Sequence, residues 1–76
     1  MLDHRQRASF KRGAKLSPRE AEVLELVSLG LTNDQVAARL CVTVHAVKFH
    51  LAGIYRKLRV ANRTEATAVY VRGSAS

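Results

Sequence analysis

From Leu16 onward, apolar residues recur at three- and four-residue steps, and each run begins just after a residue suited to capping a helix. In "LSPREAEVLELVSLG", Val23, Leu24, Val27 and Leu31 form one inward side. Ser17 fits the N-cap, Pro18 the first helical position, and Glu20 closes a capping box. Gly30 suits the left-handed residue that ends such a helix, with Leu31 folding back onto Leu26. A short second helix is predicted from Asn33 to Leu40, with Thr32 as its cap, Gln35 as capping-box partner and Leu31 stapled to Val36. "LCVT" then turns the chain. Thr43 caps a third helix that reaches Leu58, roughly 22 Å long at about 1.5 Å per residue, with Val42 stapled to Val47. Asn62 and Glu65 open a fourth helix ending near Gly73. Alternation is nowhere sustained and no Asn-Gly or Asp-Gly hairpin occurs, so the pattern predicts an all-α, compact four-helix domain.

The short helix, four-residue turn and longer third helix have the proportions of a helix-turn-helix. Cys41 and Val42 stand in the turn, where glycine is frequent; Cys41 is read as a small buried apolar side chain without a redox role. At about 100° per residue, Val47, Leu51, Ile54 and Leu58 fall into one narrow buried stripe of the third helix. Its opposite side gathers His45, Phe49, Ala52 and Arg56, flanked by Lys48, Ala46 and Gly53. The small residues keep the helix slim enough to sink into a groove about 12 Å wide. Gly53 costs about 1 kcal/mol against alanine within a helix, and two explanations stand: close approach to a partner, or close packing of a neighbouring helix. Phe49 either meets a thymine methyl group or packs on the N-terminal arm or the second helix. His50, at the edge of the buried stripe, is read as a hydrogen-bonded structural histidine.

Charge adds a direction to this pattern. The net charge is +7, but residues 17–34 carry Arg19 against Glu20, Glu22, Glu25 and Asp34, whereas residues 35–64 carry six bases and no acid. A domain with one acidic and one basic face generates a directed field, which favours a polyanionic partner. Residues 1–15 hold five bases and lack any period, and read as a flexible basic arm or linker; 16–73 form the folded domain and 74–76 a tail. No stretch approaches 18 consecutive apolar residues, and the basic start is not followed by an apolar run, so neither a membrane span nor a signal peptide is expected and the cytoplasm is the expected location. Cys and His do not approach zinc-ligand spacing, and no metal or cofactor site is expected. Glu20 and Glu22 lack any pocket-forming sequence; capping employs Glu20, and Glu22 is expected to meet a base of the third or fourth helix, so no enzyme is predicted.

The motifs "SPREAEVL", "GLTNDQVA", "VKFH", "IYRKL" and "NRTEA" occur in the order and spacing of one family. Over Leu16 to about Val71 the chain resembles the helix-turn-helix DNA-binding domain of LuxR-type (GerE, FixJ and NarL-like) bacterial transcription regulators. The resemblance implies a four-helix domain whose third helix enters the major groove and whose fourth pairs two copies. It implies base contacts from His45, Lys48, Phe49 and Ala52, and phosphate contacts from Thr32, Asn33, Thr43 and Lys57, to which the outward-facing Arg56 is added. The chain departs from the family at Ala46, where threonine is usual, and at Gly53, where asparagine is usual. His45 and Ala52 also differ from common choices, so direct base readout is expected to be thin.

The fourth helix has more apolar residues than a small core takes up: Ala66, Val69 and Tyr70 on one side, Ala68 and Val71 elsewhere. Thr67, Ala68 and Val71 are the candidate surface of a weak homodimer, with simple core packing as the other explanation. The expected partners are double-stranded DNA, a second copy and RNA polymerase, with no membrane. Two other classes fit the same charge pattern: a protein-interaction module whose basic face binds an acidic partner, and a basic amphipathic element at a membrane surface.

Overall fold

The computed structural model describes residues 15–75. Four helices follow one another: α1 (Pro18–Ser28), α2 (Asn33–Leu40), α3 (Val44–Leu58) and α4 (Arg63–Ala75). No strand occurs among the described residues. The basic arm expected over residues 1–15 falls outside them except for Lys15. The fourth helix continues two residues past Gly73, through Ala75.

Each helix starts where its capping residue places it. Ser17 Oγ accepts from the Glu20 N–H at 3.1 Å while Glu20 Oε1 accepts from the Ser17 N–H at 2.9 Å. Thr32 and Gln35 repeat the reciprocal pair at 3.1 and 2.8 Å. Thr43 Oγ1 accepts from the Ala46 N–H at 3.0 Å. At α4, Asn62 Oδ1 accepts from the Glu65 N–H, and Glu65 reaches back one residue further than a capping box requires, to the Ala61 N–H.

The ends of α1, α2 and α3 share one device. A residue with positive φ follows each helix (Gly30, Cys41, Arg59), and the next N–H bonds a carbonyl five residues back: Leu31 to Leu26, Val42 to Ala37, Val60 to Tyr55. Only the first of these positions carries glycine. The apolar residue after each left-handed position, Leu31, Val42 or Val60, packs onto the edge of the core. Cys41 therefore departs from its expected role: its backbone must turn left-handed, which swings the side chain into solvent, and it is exposed rather than buried.

The core is built from Val23, Leu24 and Val27 of α1, Val36 and Ala37 of α2, Val47, Leu51 and Ile54 of α3, and Ala66 of α4. Burying a side chain such as Leu24 or Ile54 contributes about 1.5–3 kcal/mol each. The third helix lies against α1, α2 and α4 in turn, and α4 also packs along α1. That central position fixes α3 on one side and leaves its other side to solvent.

Candidate nucleic-acid interface on the third helix

The inward stripe of α3 is as the periodicity requires: Val47, Leu51 and Ile54 are buried and Leu58 is half-buried against the same cluster. On the opposite side His45, Phe49, Ala52 and Arg56 are all exposed; on its flanks Lys48 is exposed and Ala46 half-buried. The helix contains no carboxylate. Phe49 is 70% exposed, so it is not covered by α2. Its ring meets His50 edge-on, with centroids 5.7 Å apart and planes at 70°. That ring contact, rather than a hydrogen bond, is what the described residues offer the half-buried His50.

Around this face, Arg39, Lys57 and Arg59 are exposed as well, so the basic excess of residues 35–64 reaches the surface as charge rather than being absorbed in internal pairs. Two exceptions matter. Arg63 is half-buried and binds Asn33 Oδ1 at 3.0 Å and the Leu31 carbonyl oxygen, tying the start of α4 to the start of α2. Lys57 Nζ donates to Glu20 Oε1 at 2.8 Å, with the lysine side chain 36% exposed. Of the other residues predicted to meet a backbone, Thr32 and Thr43 are exposed with their hydroxyl oxygens employed as caps, and Asn33 is half-buried beside Arg63.

The Glu20 carboxylate, on a residue only 8% exposed, lies over α3 and accounts for Gly53. A Cβ at position 53 would come 2.6 Å from Glu20 Oε2, so glycine leaves the space the carboxylate occupies. Gly53 is thus buried against α1 and not part of the solvent-facing flank, which settles its two sequence explanations in favour of helix packing. Burial pushes the Glu20 carboxyl up, but the Lys57 hydrogen bond and charge, together with the Ser17 N–H, outweigh it and hold the group below its ordinary value of 4.5. Glu22 does not reach another helix; it pairs with Arg19 at 3.2 Å in its own, because i and i+3 side chains share a face. On α4, Ala66 is buried, Val69 and Tyr70 are half-buried, and Ala68 and Val71 are exposed, Val71 to 54%. Thr67 is half-buried.

Sequence reasoning assigned Glu20 to the cap alone and missed that the same oxygen also takes Lys57. The signal was present: Gly53 and Lys57 are four apart and so stand on one face of α3.

Residues 14–70 match the family model described as "Bacterial regulatory proteins, luxR family". The chain belongs to that family. The luxR-family domain is 41% identical over 66 residues to the HTH-type transcriptional regulator MalT of Serratia proteamaculans. It is 46% identical over 54 residues to the HTH-type quorum sensing-dependent transcriptional regulator RpaR of Rhodopseudomonas palustris. These alignments take in 87% and 71% of the present chain but only 7% and 22% of those regulators, so the chain corresponds to a small part of each. Among solved structures, a chain of the response regulator ChrA in a heme-sensing two-component system superposes with a TM-score of 0.75 and 40% identity, over 99% of this chain and 37% of that one. A chain from the complex of the anti-activator RapF with the ComA DNA binding domain gives 0.70 and 36%, over 72% of this chain and 95% of that one. The four-helix, helix-turn-helix architecture of a transcription-regulator domain is therefore shared by fold and by sequence. No helix among the described residues is long and apolar enough to cross a membrane.

Proposed function

We propose that the luxR-family domain binds double-stranded DNA with a sequence preference, as the output module of a bacterial transcription regulator in the cytoplasm. The observation that carries this reading is the outer face of α3, exposed, basic, free of carboxylates and bearing an exposed phenylalanine, on a helix otherwise locked into the core. A single exposed apolar residue is ordinary, so Phe49 at 70% exposure supports the reading only together with the basic, carboxylate-free surface around it. In the major groove Lys48 would reach guanine O6 or N7 and Phe49 a thymine methyl. His45 and Ala52 complete the base-facing surface, and the slimness at Ala52 admits the groove wall. Thr32, Asn33, Thr43 and Arg56 meet phosphates, and Lys57 lies among them with its charge already answered in part by Glu20. Thr67, Ala68 and Val71 on α4 pair two copies weakly, which spaces two recognition helices along the duplex. RNA polymerase is the further partner that a regulator bound near a promoter would meet. Family membership supports a regulatory rather than catalytic role.

With about four to five phosphates neutralised per protomer, log K falls against log salt with a slope of about −4. Fluorescence anisotropy on a labelled duplex at increasing salt measures it. Lys48→Ala should weaken binding roughly 5- to 150-fold, the range of about 1–3 kcal/mol for a base contact, and leave Tm unchanged. A loss of Tm equal to the loss of binding would mean that Lys48 supports the fold.

One observation favours a second reading, a protein-interaction module: the similar ComA DNA binding domain was solved in complex with an anti-activator protein. A gel shift with the isolated chain separates the two, since a module that binds only an acidic protein leaves a DNA duplex unshifted.

A further inference from the structure

Lys57 is the one exposed base of α3 with an anion already on it among the described residues, and that anion has an unusual setting. Glu20 Oε1 receives both the Ser17 N–H and Lys57 Nζ, while Oε2 lies on the bare backbone of Gly53. A Cβ at that position would also come within 3.8 Å of Arg56 Nη2, so a second cation borders the same spot. The carboxylate is therefore seated from three sides and cannot swing out into solvent without giving up a cap bond. A phosphate oxygen approaching Lys57 Nζ would have to compete with this carboxylate for it.

Resting on the DNA-binding reading above, we infer that Glu20 is a specificity-determining residue of the interface: it acts as an internal stand-in for a phosphate that holds back the charge of Lys57. Non-specific DNA affinity comes almost wholly from bases that neutralise phosphates and release counterions. A lysine already paired at 2.8 Å releases less on binding, so it adds little to affinity for arbitrary sequence. Lys48, which has no ion-pair partner among the described residues, and the base-facing surface around it then carry a larger share of the total. The small residue at 53 is part of the same device, because it lets the carboxylate approach α3 closely enough to reach Lys57.

The test uses Glu20→Gln and Lys57→Met, alone and together, in the whole chain. Glutamine preserves the cap, as Gln35 does at the equivalent place in α2, and matches the carboxylate in size above Gly53. Salt titrations by anisotropy on a duplex of random sequence give the slope for each variant, with thermal denaturation as a check on folding. E20Q should bind random duplex more tightly and steepen the slope by about 0.9, the release expected for one more neutralised phosphate. K57M should change the slope by well under that amount while Glu20 is present, and should abolish the gain when combined with E20Q. An unchanged slope in E20Q, or a full unit lost in K57M alone, overturns the role of Glu20. A wild-type chain that shows no salt-dependent binding refutes the DNA reading itself and this inference with it, and so is distinguishable from either result.

Discussion

Gly53→Ala sets two elementary effects against each other. Inside a helix, alanine in place of glycine stabilises by about 1 kcal/mol, so propensity alone predicts a gain. The structure puts the new methyl 2.6 Å from Glu20 Oε2, well inside van der Waals contact. If the carboxylate holds its place, the overpacking costs about 1–3 kcal/mol. If it moves, the Ser17 cap bond, worth about 1 kcal/mol, is lost. The Lys57 pair is lost too, and at 36% lysine exposure it contributes only about 0.5–1 kcal/mol. Either route offsets the propensity gain, and the net loss is about 1 kcal/mol, or roughly 4–8 °C in Tm for a domain of this size. Thermal denaturation followed by circular dichroism reads it directly. In a Glu20→Ala background the obstruction is gone, and the same substitution should stabilise by about 1 kcal/mol, giving a coupling of about 2 kcal/mol. A rise in Tm for G53A in the wild-type background would refute the reasoning.

Three further outcomes rest on other parts of the same fold. Cys41 holds a left-handed backbone, φ 59° and ψ 44°, without glycine's freedom; Cys41→Gly should raise Tm by several degrees, from about 0.5–1 kcal/mol, and a lower Tm would show that its side chain contributes unseen contacts. Ser28 Oγ is buried without a hydrogen-bond partner among the described residues, so Ser28→Ala should stabilise by about 1 kcal/mol in a denaturant titration, and a destabilised variant would contradict that. The Glu20 carboxyl titrates below its ordinary value, so its contribution to stability is complete above about pH 4.5 and disappears as pH falls through the depressed folded value. The stability difference between wild type and E20Q should therefore narrow under acid and stay level from pH 5 to 7; a difference that widens under acid would reverse the sign.

The architecture was legible because its signals are local. Ser17, Thr32, Thr43 and Asn62 each announce a helix start by a side chain that reaches only three residues ahead. The buried stripe of α3 follows from helical period alone, and so does the exposure of His45, Lys48 and Phe49. What escaped was either a matter of backbone handedness or of distance in sequence. Cys41 looks like a core residue until its left-handed φ turns it outward. Glu20 and Lys57 are 37 residues apart, and only the crossing of α1 over α3 brings them together. The clamp of Arg63 on Asn33 and Leu31 is likewise a product of how α4 returns beside α2. Charge patterning identified the basic surface but not which of its bases is already answered by an acid.

The most direct test of the DNA-binding face is to titrate a duplex into the isotopically labelled chain and follow backbone amide resonances. The largest perturbations are expected at His45, Lys48, Phe49 and Ala52 and at the starts of α2 and α3, with the acidic flank of α1 around Glu22 and Glu25 unmoved. Perturbations centred on α1, with the outer face of α3 silent, would contradict the account.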